Sequence, residues 1–196
     1  MAISLTKGKP LSLTKESPGL TKIFMGLGWD PVEKGSFLKK LFSGGSSEID
    51  LDASAVLFDK NKAAIDLVFF QQLNSRDGSI KHGGDNLTGE GDGDGDDEII
   101  YVDLAKLPSN VEHLVFTVNS FRGQSFDEVE NAFARLVDHT KDQEICRYDL
   151  KEKGRHTGVV MASMSKENGG WTMTAHGTPC QGRTAKDIID DAVRVI

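Results

Sequence analysis

The sequence predicts an all-β protein, an antiparallel β-sandwich or barrel with a short helix and a C-terminal helix. Short apolar or alternating runs follow one another closely, turn residues separate most of them, and few stretches have a helical period. Many short strands at such spacing favour an antiparallel sheet architecture over alternating β and α units. With 196 residues, 38% of them hydrophobic, we expect one domain over residues 1–196.

The strand predictions begin with two similar runs. The alternating segment Ile3–Lys7 returns eight positions later as Leu11–Lys15, with Gly8 and Pro10 between them, so we predict an opening pair of strands. Nine further runs are predicted to be strands by the same criteria: Ile23–Trp29, Ile49–Phe58, Ile65–Phe70, Ile99–Val102, Val111–Val118, Ala132–Val137, Cys146–Leu150, Gly158–Met164 and Trp171–His176.

Two helices are predicted. The first begins at Ser125, because Ser125-Phe126-Asp127-Glu128 fits a capping box, and it can be as short as one turn. The second runs from about Thr184 to the end of the chain. Its apolar residues fall on one helical face, so it should pack on the sandwich; they are Ile188, Ile189, Ala192, Val193 and Ile196.

The formal charge of −7 is concentrated in one segment. The stretch from Asp85 to Glu98 holds seven acids and no base, so the rest of the chain is close to neutral. Nucleic acid requires a basic face, so we expect no nucleic-acid partner. No stretch approaches the roughly 20 apolar residues of a membrane span, and the first residues lack the long apolar run of a signal peptide. We therefore expect a cytoplasmic protein.

The acidic segment has the composition of a calcium site. From Gly83 to Glu98 it offers carboxylates, an Asn side chain, a Thr hydroxyl and backbone carbonyls, and calcium takes about 6 to 8 oxygen ligands of these kinds. Bending around an ion requires positive φ, which glycine adopts at little cost, so the alternating glycines favour this interpretation. The segment is not an EF-hand, because Asp97 stands where that motif needs glycine. A disordered, solubilising loop is the alternative.

A second acidic element lies in the predicted strand Ile49–Phe58. Its apolar residues alternate with Asp50 and Asp52, so the two acids should share one face. Positions two apart on a strand are separated by about 6.8 Å, which allows both carboxylates to approach one ion. A solvated strand face is the alternative.

The signals for catalysis are weak. The five histidines are scattered, and no nucleophile elbow or phosphate-binding loop is present, so we expect core or surface roles and no enzyme; they are His82, His113, His139, His156 and His176. Cys146 and Cys180 have no metal-ligand spacing and are expected to be buried or incidental thiols. The alternative from another class is a metal-dependent phosphoester hydrolase, because clustered carboxylates also hold magnesium or manganese.

Four segments resemble the bacterial tellurium-resistance TerD family: Leu11–Lys15, Gly26–Asp30, Asp50–Ser54 and Gly84–Gly93. The TerZ branch is the most similar, through Trp29–Pro31, Lys40–Gly45, Thr117–Phe126 and Gly182–Thr184. The match covers nearly the whole chain. The resemblance implies a calcium-binding sandwich of two sheets, encoded in operons for resistance to tellurite, phage and colicins and linked to a general stress response.

The resemblance also implies a ligand set for more than one Ca²⁺. The motifs carry it onto Asp50, Asp52, Asp85, Asn86, Glu90, Asp92, Asp96, Asp97 and Glu98, with Asp30 and Asp77 as weaker candidates. The loop is one Gly-Asp pair longer than the family pattern, so the ligands between Asp92 and Asp97 stay ambiguous. We expect a non-enzymatic protein in which Ca²⁺ orders the loop to present a surface to other tellurium-resistance proteins or, as an alternative, to the inner face of the membrane.

Overall fold

The computed structural model describes residues 2–32, 50–84 and 95–196. Two sheets of six strands each form the fold. The all-β prediction is therefore confirmed, with two sheets as the family resemblance implied. The acidic residues 85–94 and the predicted strand start at Ile49 lie outside the described residues.

Sheet A is antiparallel except at one edge, where residues 3–4 pair in parallel with residues 146–147. Its strands, in spatial order, are β1 (Ile3–Ser4), β10 (Gln143–Asp149), β9 (Val129–Asp138), β3 (Lys22–Pro31), β7 (Glu98–Asp103) and β6 (Ile80–His82). The short β6 has no sequence prediction, because three residues are too few to reveal a period.

Sheet B is antiparallel throughout. Its strands, in spatial order, are β2 (Pro10–Ser12), β12 (Gly170–Cys180), β11 (Gly158–Glu167), β8 (His113–Ser120), β4 (Leu51–Phe58) and β5 (Ala64–Val68). The central β8 pairs β4 with Leu51 opposite Ser120, which fixes which β4 residues share a face with which β8 residues.

The core lies between the sheets and is built from alternate strand residues. Side chains of both sheets join one buried cluster, which includes Ile23, Met25 and Leu27 of β3, Ala53, Ala55 and Leu57 of β4, and Leu114, Phe116 and Val118 of β8. The alternation in the sequence is therefore the alternation between the inner and outer face of each sheet.

The outer face of sheet B carries a second apolar cluster, in which the chain end covers the strands. Val56, Val115 and Val160 contribute from the sheet, and Ile188 and Ala192 from the C-terminal segment (residues 181–196). The predicted packing of this segment is confirmed. Its helix, α2, covers only Ile189–Val193, since Asp187 accepts hydrogen bonds from the backbone N–H groups of Arg183 and Thr184 and holds a turn there.

The predicted opening pair of strands is wrong. β1 lies in sheet A and β2 in sheet B, so the two runs do not pair with each other. The turn between them carries the chain from one sheet to the other, with Gly8 at φ 74° and its N–H bonded to the carbonyl of Ala175. Residues 13–15 are also not a strand, because α1 covers Leu13–Glu16 with Leu13 buried.

The helix predicted at Ser125 exists as a single 3-10 turn, Phe126–Glu128. Ser125 caps it, as the sequence indicates, and its hydroxyl accepts from the backbone N–H of Asp127 at 3.1 Å. In a capping box the bond would come from the residue after Asp127. In the tighter 3-10 turn, the N–H of Asp127 donates to the Ser125 hydroxyl in place of the N–H of Glu128.

Candidate metal centre

Asp50 and Asp52 stand where β4 begins, on the face opposite the inter-sheet core. Asp50 is 5% exposed and Asp52 is 3% exposed, so the alternative of a solvated strand face is excluded. Ionised carboxylates are buried only where cations or hydrogen-bond donors compensate them. At Asp50, Arg122 supplies one such group, with 3.1 Å between Nε and Oδ2.

The three consecutive acids at residues 96–98 point to three different places. Asp96 lies over Gly26, where an added Cβ would stand 2.2 Å from its Oδ1. Arg135 holds both of its carboxylate oxygens, Nε to Oδ1 at 2.7 Å and Nη2 to Oδ2 at 2.8 Å. This two-point ion pair raises the pKa of Arg135 and places a positive charge beside the Asp96 carboxylate.

Asp97 lies at the strand end beside Asp30. Its Oδ2 accepts a hydrogen bond from the backbone N–H of Trp29 at 2.8 Å. Burial, followed by the negative charges of Asp30, Glu98 and Asp96, raises the pKa of Asp97 to about 6 despite that bond. A bound cation would relieve this crowding of carboxylates.

Glu98 points into the space between the sheets. Its Oε2 accepts from the backbone N–H of Ala53 at 2.7 Å and lies 3.3 Å from Nε2 of His82. Because the N–H of Gly84 donates to Nδ1 of His82, the ring hydrogen is on Nε2, which lies 3.2 Å from the carbonyl of Ala53. These side chains bind the edge of β4 where β5 does not reach, since β5 pairs only from Ala55 onward.

The two weaker candidates differ. Asp30 accepts from the side-chain amide of Asn131 at 2.8 Å and lies near Asp97. Asp77 instead closes its own turn: burial would raise its pKa, but hydrogen bonds from Ser75 and Ser79 outweigh that effect and lower it. Only Asp30 is therefore placed near the other acids.

The described acids do not form a closed metal site by themselves. Within residues 2–32, 50–84 and 95–196, no group of three or more His, Cys, Asp or Glu side chains is placed to hold a metal ion. The predicted ligands Asp85, Asn86, Glu90 and Asp92 lie outside those residues. The donor set still fits calcium, because Asp50 and Asp52 are buried carboxylates and Asp97 is crowded by the carboxylates of Asp30, Glu98 and Asp96.

The histidines make local contacts within the sheets. His113 Nδ1 and Ser165 Oγ are 2.8 Å apart, as are His176 Nε2 and Ser163 Oγ. His156 stacks on Phe126, and His139 lies edge-on to Phe24. Both cysteines are buried as expected, and burial raises the pKa of each thiol to about 12.

The part of the chain that the structure describes contains no helix both long and apolar enough to cross a membrane.

Comparison with known proteins shows similarity over nearly the whole length. A family model described as the TerD domain matches residues 1–190. The chain is 53% identical over 194 residues to the tellurium resistance protein TerZ of Serratia marcescens, covering 99% of this chain and 98% of that protein. It is 42% identical over 198 residues to the stress response protein SCP2 of Bacillus subtilis, covering 96% and 98%.

The fold is also similar to a solved structure, described as a homologue of telluride resistance protein (TerD) from Streptomyces coelicolor A3(2). The TM-score is 0.68 at 18% identity, covering 87% of this chain and 96% of that one. At this identity the likeness shows the fold alone.

Proposed function

Because the chain belongs to the TerD family, we propose that it is a calcium-binding protein without enzymatic activity, in which Ca²⁺ orders the acidic glycine-rich segment to present a partner-binding surface. Its relatives are named for tellurium resistance and stress response, and we propose that role here. The observation that carries the proposal is the burial of Asp50 and Asp52, two residues apart at one strand end. Carboxylates are buried there without the solvent that would stabilise their charge.

We assign the predicted calcium ligands two roles: some bind the ion, and others hold the end of the acidic segment in place. Asp50, Asp52 and Asp97 would hold calcium, together with Asp85, Asn86, Glu90 and Asp92 of the acidic segment. Asp96 and Glu98 are already bonded, to Arg135 and to the backbone of Ala53. We assign these two the role of anchoring the end of the segment. Bound Ca²⁺ would supply positive charge to the surrounding oxygen atoms.

An aromatic pair beside the acids supports a partner-binding surface. Phe121 is 45% exposed, and its ring centroid lies 5.3 Å from that of Phe70. The next residue, Arg122, pairs with Asp50, so calcium at Asp50 would compete with the guanidinium and change this turn. The partner would be another tellurium-resistance protein or an anionic membrane surface, which vesicle sedimentation with and without calcium distinguishes.

Calorimetric titration of chelator-treated protein with CaCl₂, and separately with MgCl₂, tests the proposal. We expect saturable calcium binding and a raised melting temperature, since a ligand at 100 times its Kd adds about 2.7 kcal/mol to folding stability. Asp50→Asn with Asp52→Asn should abolish both effects. The control Asp149→Asn with Glu130→Gln removes equal charge at exposed positions of sheet A and should retain them. Absence of binding at millimolar calcium would exclude the proposed function.

A further inference from the structure

Four polar side chains form a compact group on the outer face of sheet B. The register places Asp52 directly opposite Asn119, and Ser54 directly opposite Thr117. Asp52 is 3% exposed, and the other three are 0% exposed. We call Asp52, Ser54, Thr117 and Asn119 the β4–β8 quartet. Apolar side chains would be expected at such buried positions. They occur at the next outward-facing position of each strand, which is Val56 in β4 and Val115 in β8.

Three oxygen atoms of the quartet have no hydrogen-bond partner within the described part of the chain: Ser54 Oγ, Thr117 Oγ1 and Asn119 Oδ1. Buried polar groups are paired in the great majority of cases, so several such atoms together need an explanation. Asn119 Oδ1 can only accept, and the two hydroxyl oxygens keep acceptor lone pairs even when they donate, so a cation beside the Asp52 carboxylate could be bound by all three oxygens. The quartet thus has the donor atoms of a cation site.

The C-terminal segment covers this group. The side-chain N–H of Asn119 donates to the carbonyl of Arg183 at 2.6 Å, which leaves Oδ1 as the acceptor on the other side of the amide. Thr157 fixes the segment next to it, since its hydroxyl donates to the carbonyl of Gly182 at 3.0 Å. Ile188, which is 0% exposed, packs against Gly158. The site is therefore enclosed between the sheet and this segment.

The spacing suits one ion. Positions two apart on a strand are about 6.8 Å from each other, and paired residues have Cβ atoms about 5 Å apart. The centre of the quartet therefore lies about 4 Å from each Cβ, so an ion nearer to the short side chains of Ser54 and Thr117 than to Asp52 and Asn119 can be bound by all four at about 2.3 to 2.6 Å. Carboxylate, amide and hydroxyl oxygens are all ligands that calcium accepts.

We propose that the β4–β8 quartet binds one calcium ion beneath the C-terminal segment, with Asn119 linking the ion to Arg183. The proposal rests on the proposed function for the identity of the ion and for the role of Asp52, and it adds Ser54, Thr117 and Asn119 as ligands. Since Asn119 contacts both the ion and the segment, calcium at the quartet orders residues 183–188 on sheet B. Calcium binding thereby also orders the surface formed by residues 183–188, which are distant in sequence from the acidic segment.

The test uses the double variant Ser54→Ala with Thr117→Val, which removes two hydroxyls and keeps the side-chain volumes nearly unchanged. Without calcium, this variant should be at least as stable as the natural protein, because it buries fewer unpaired oxygens. In calorimetric titration with CaCl₂ it should bind one ion fewer, or bind one ion at least tenfold more weakly. Ser163→Ala is the control, since it removes a buried hydroxyl of β11 that bonds His176, and it should bind as the natural protein does.

A second readout follows the C-terminal segment. Calcium should slow amide hydrogen exchange at residues 183–188 in the natural protein and leave it unchanged in the double variant. If the natural protein binds calcium and the double variant binds it identically, the quartet holds buried water alone and this inference is overturned while the proposed function stands. If the natural protein binds no calcium, both are overturned.

Discussion

Asp138, the last residue of β9, shows how one buried carboxylate stabilises a junction. It is 1% exposed and accepts hydrogen bonds from the hydroxyls of Ser17 at 2.9 Å and Thr140 at 2.6 Å, with the ammonium of Lys141 at 3.0 Å. Burial alone would raise its pKa, but these donors outweigh burial and hold the pKa of Asp138 well below its usual range. The carboxylate thus joins the end of α1 to sheet A.

We predict that Asp138→Asn lowers the free energy of unfolding at pH 7 by roughly 1 to 3 kcal/mol. A carboxyl whose pKa is lower in the folded state stabilises the fold above its unfolded pKa of about 3.9, and this contribution is lost as the pH falls toward the folded pKa. The difference between natural protein and variant should therefore be constant from pH 7 to about 5 and shrink below about pH 4. Urea denaturation across this range measures it; a difference unchanged at pH 3 would contradict the argument.

At the scale of elements, α2 depends on its packing. A helix of five residues cannot be stable alone, because nucleation outweighs the few hydrogen bonds it gains. Ile188 precedes it with 0% of its surface exposed, in the apolar cluster on the outer face of sheet B. The contacts of this side chain with the strands therefore hold the segment in place.

We predict that Ile188→Ala lowers the free energy of unfolding by about 2 to 5 kcal/mol, as for other large-to-small changes in a core. Ile189→Ala is the matched control, because the neighbouring side chain is only partly buried and should contribute less. Urea denaturation of both variants in chelator checks this. Equal losses at the two positions would show that burial of Ile188 is not what holds the segment.

For the whole molecule, Glu98 and His82 connect the two sheets by polar contacts inside the apolar core. Both side chains are 0% exposed, and both come from sheet A to bind the backbone of Ala53 in sheet B. An unpaired backbone group at this edge would be buried and costly. Ala53 directly follows Asp52, and Glu98 is the last acid of the acidic segment, so this hydrogen bond joins the two acidic elements of the sequence.

We predict that Glu98→Ala in chelator lowers the free energy of unfolding by about 3 kcal/mol, since it leaves the Ala53 N–H and the His82 ring without this partner. Glu98→Gln keeps a carbonyl oxygen for the Ala53 N–H and should lose clearly less. Thermal and urea denaturation compare the two. Equal destabilisation by both variants would show that the charge of Glu98, and not its hydrogen bond to Ala53, stabilises the sandwich.

The sequence by itself determined the strand content and the faces of the strands. The period of two in residues 51–57 separated Asp52 from Leu51, Ala53 and Ala55, and the structure confirms that division. The apolar face of the last residues predicted their packing on the sandwich, which is also confirmed. These features are local, because side-chain alternation follows directly from backbone geometry.

Only the tertiary structure decided the pairings and the environment of each acid. The hairpin predicted from two similar runs was wrong because strand pairing depends on which sheet completes the core, and no local pattern shows this. Asp96, Asp97 and Glu98 are adjacent in sequence, yet they contact Arg135, Trp29 and Ala53 in turn. The position of Asn119 opposite Asp52 follows from register alone, since residues 67 positions apart meet only when the sheet forms.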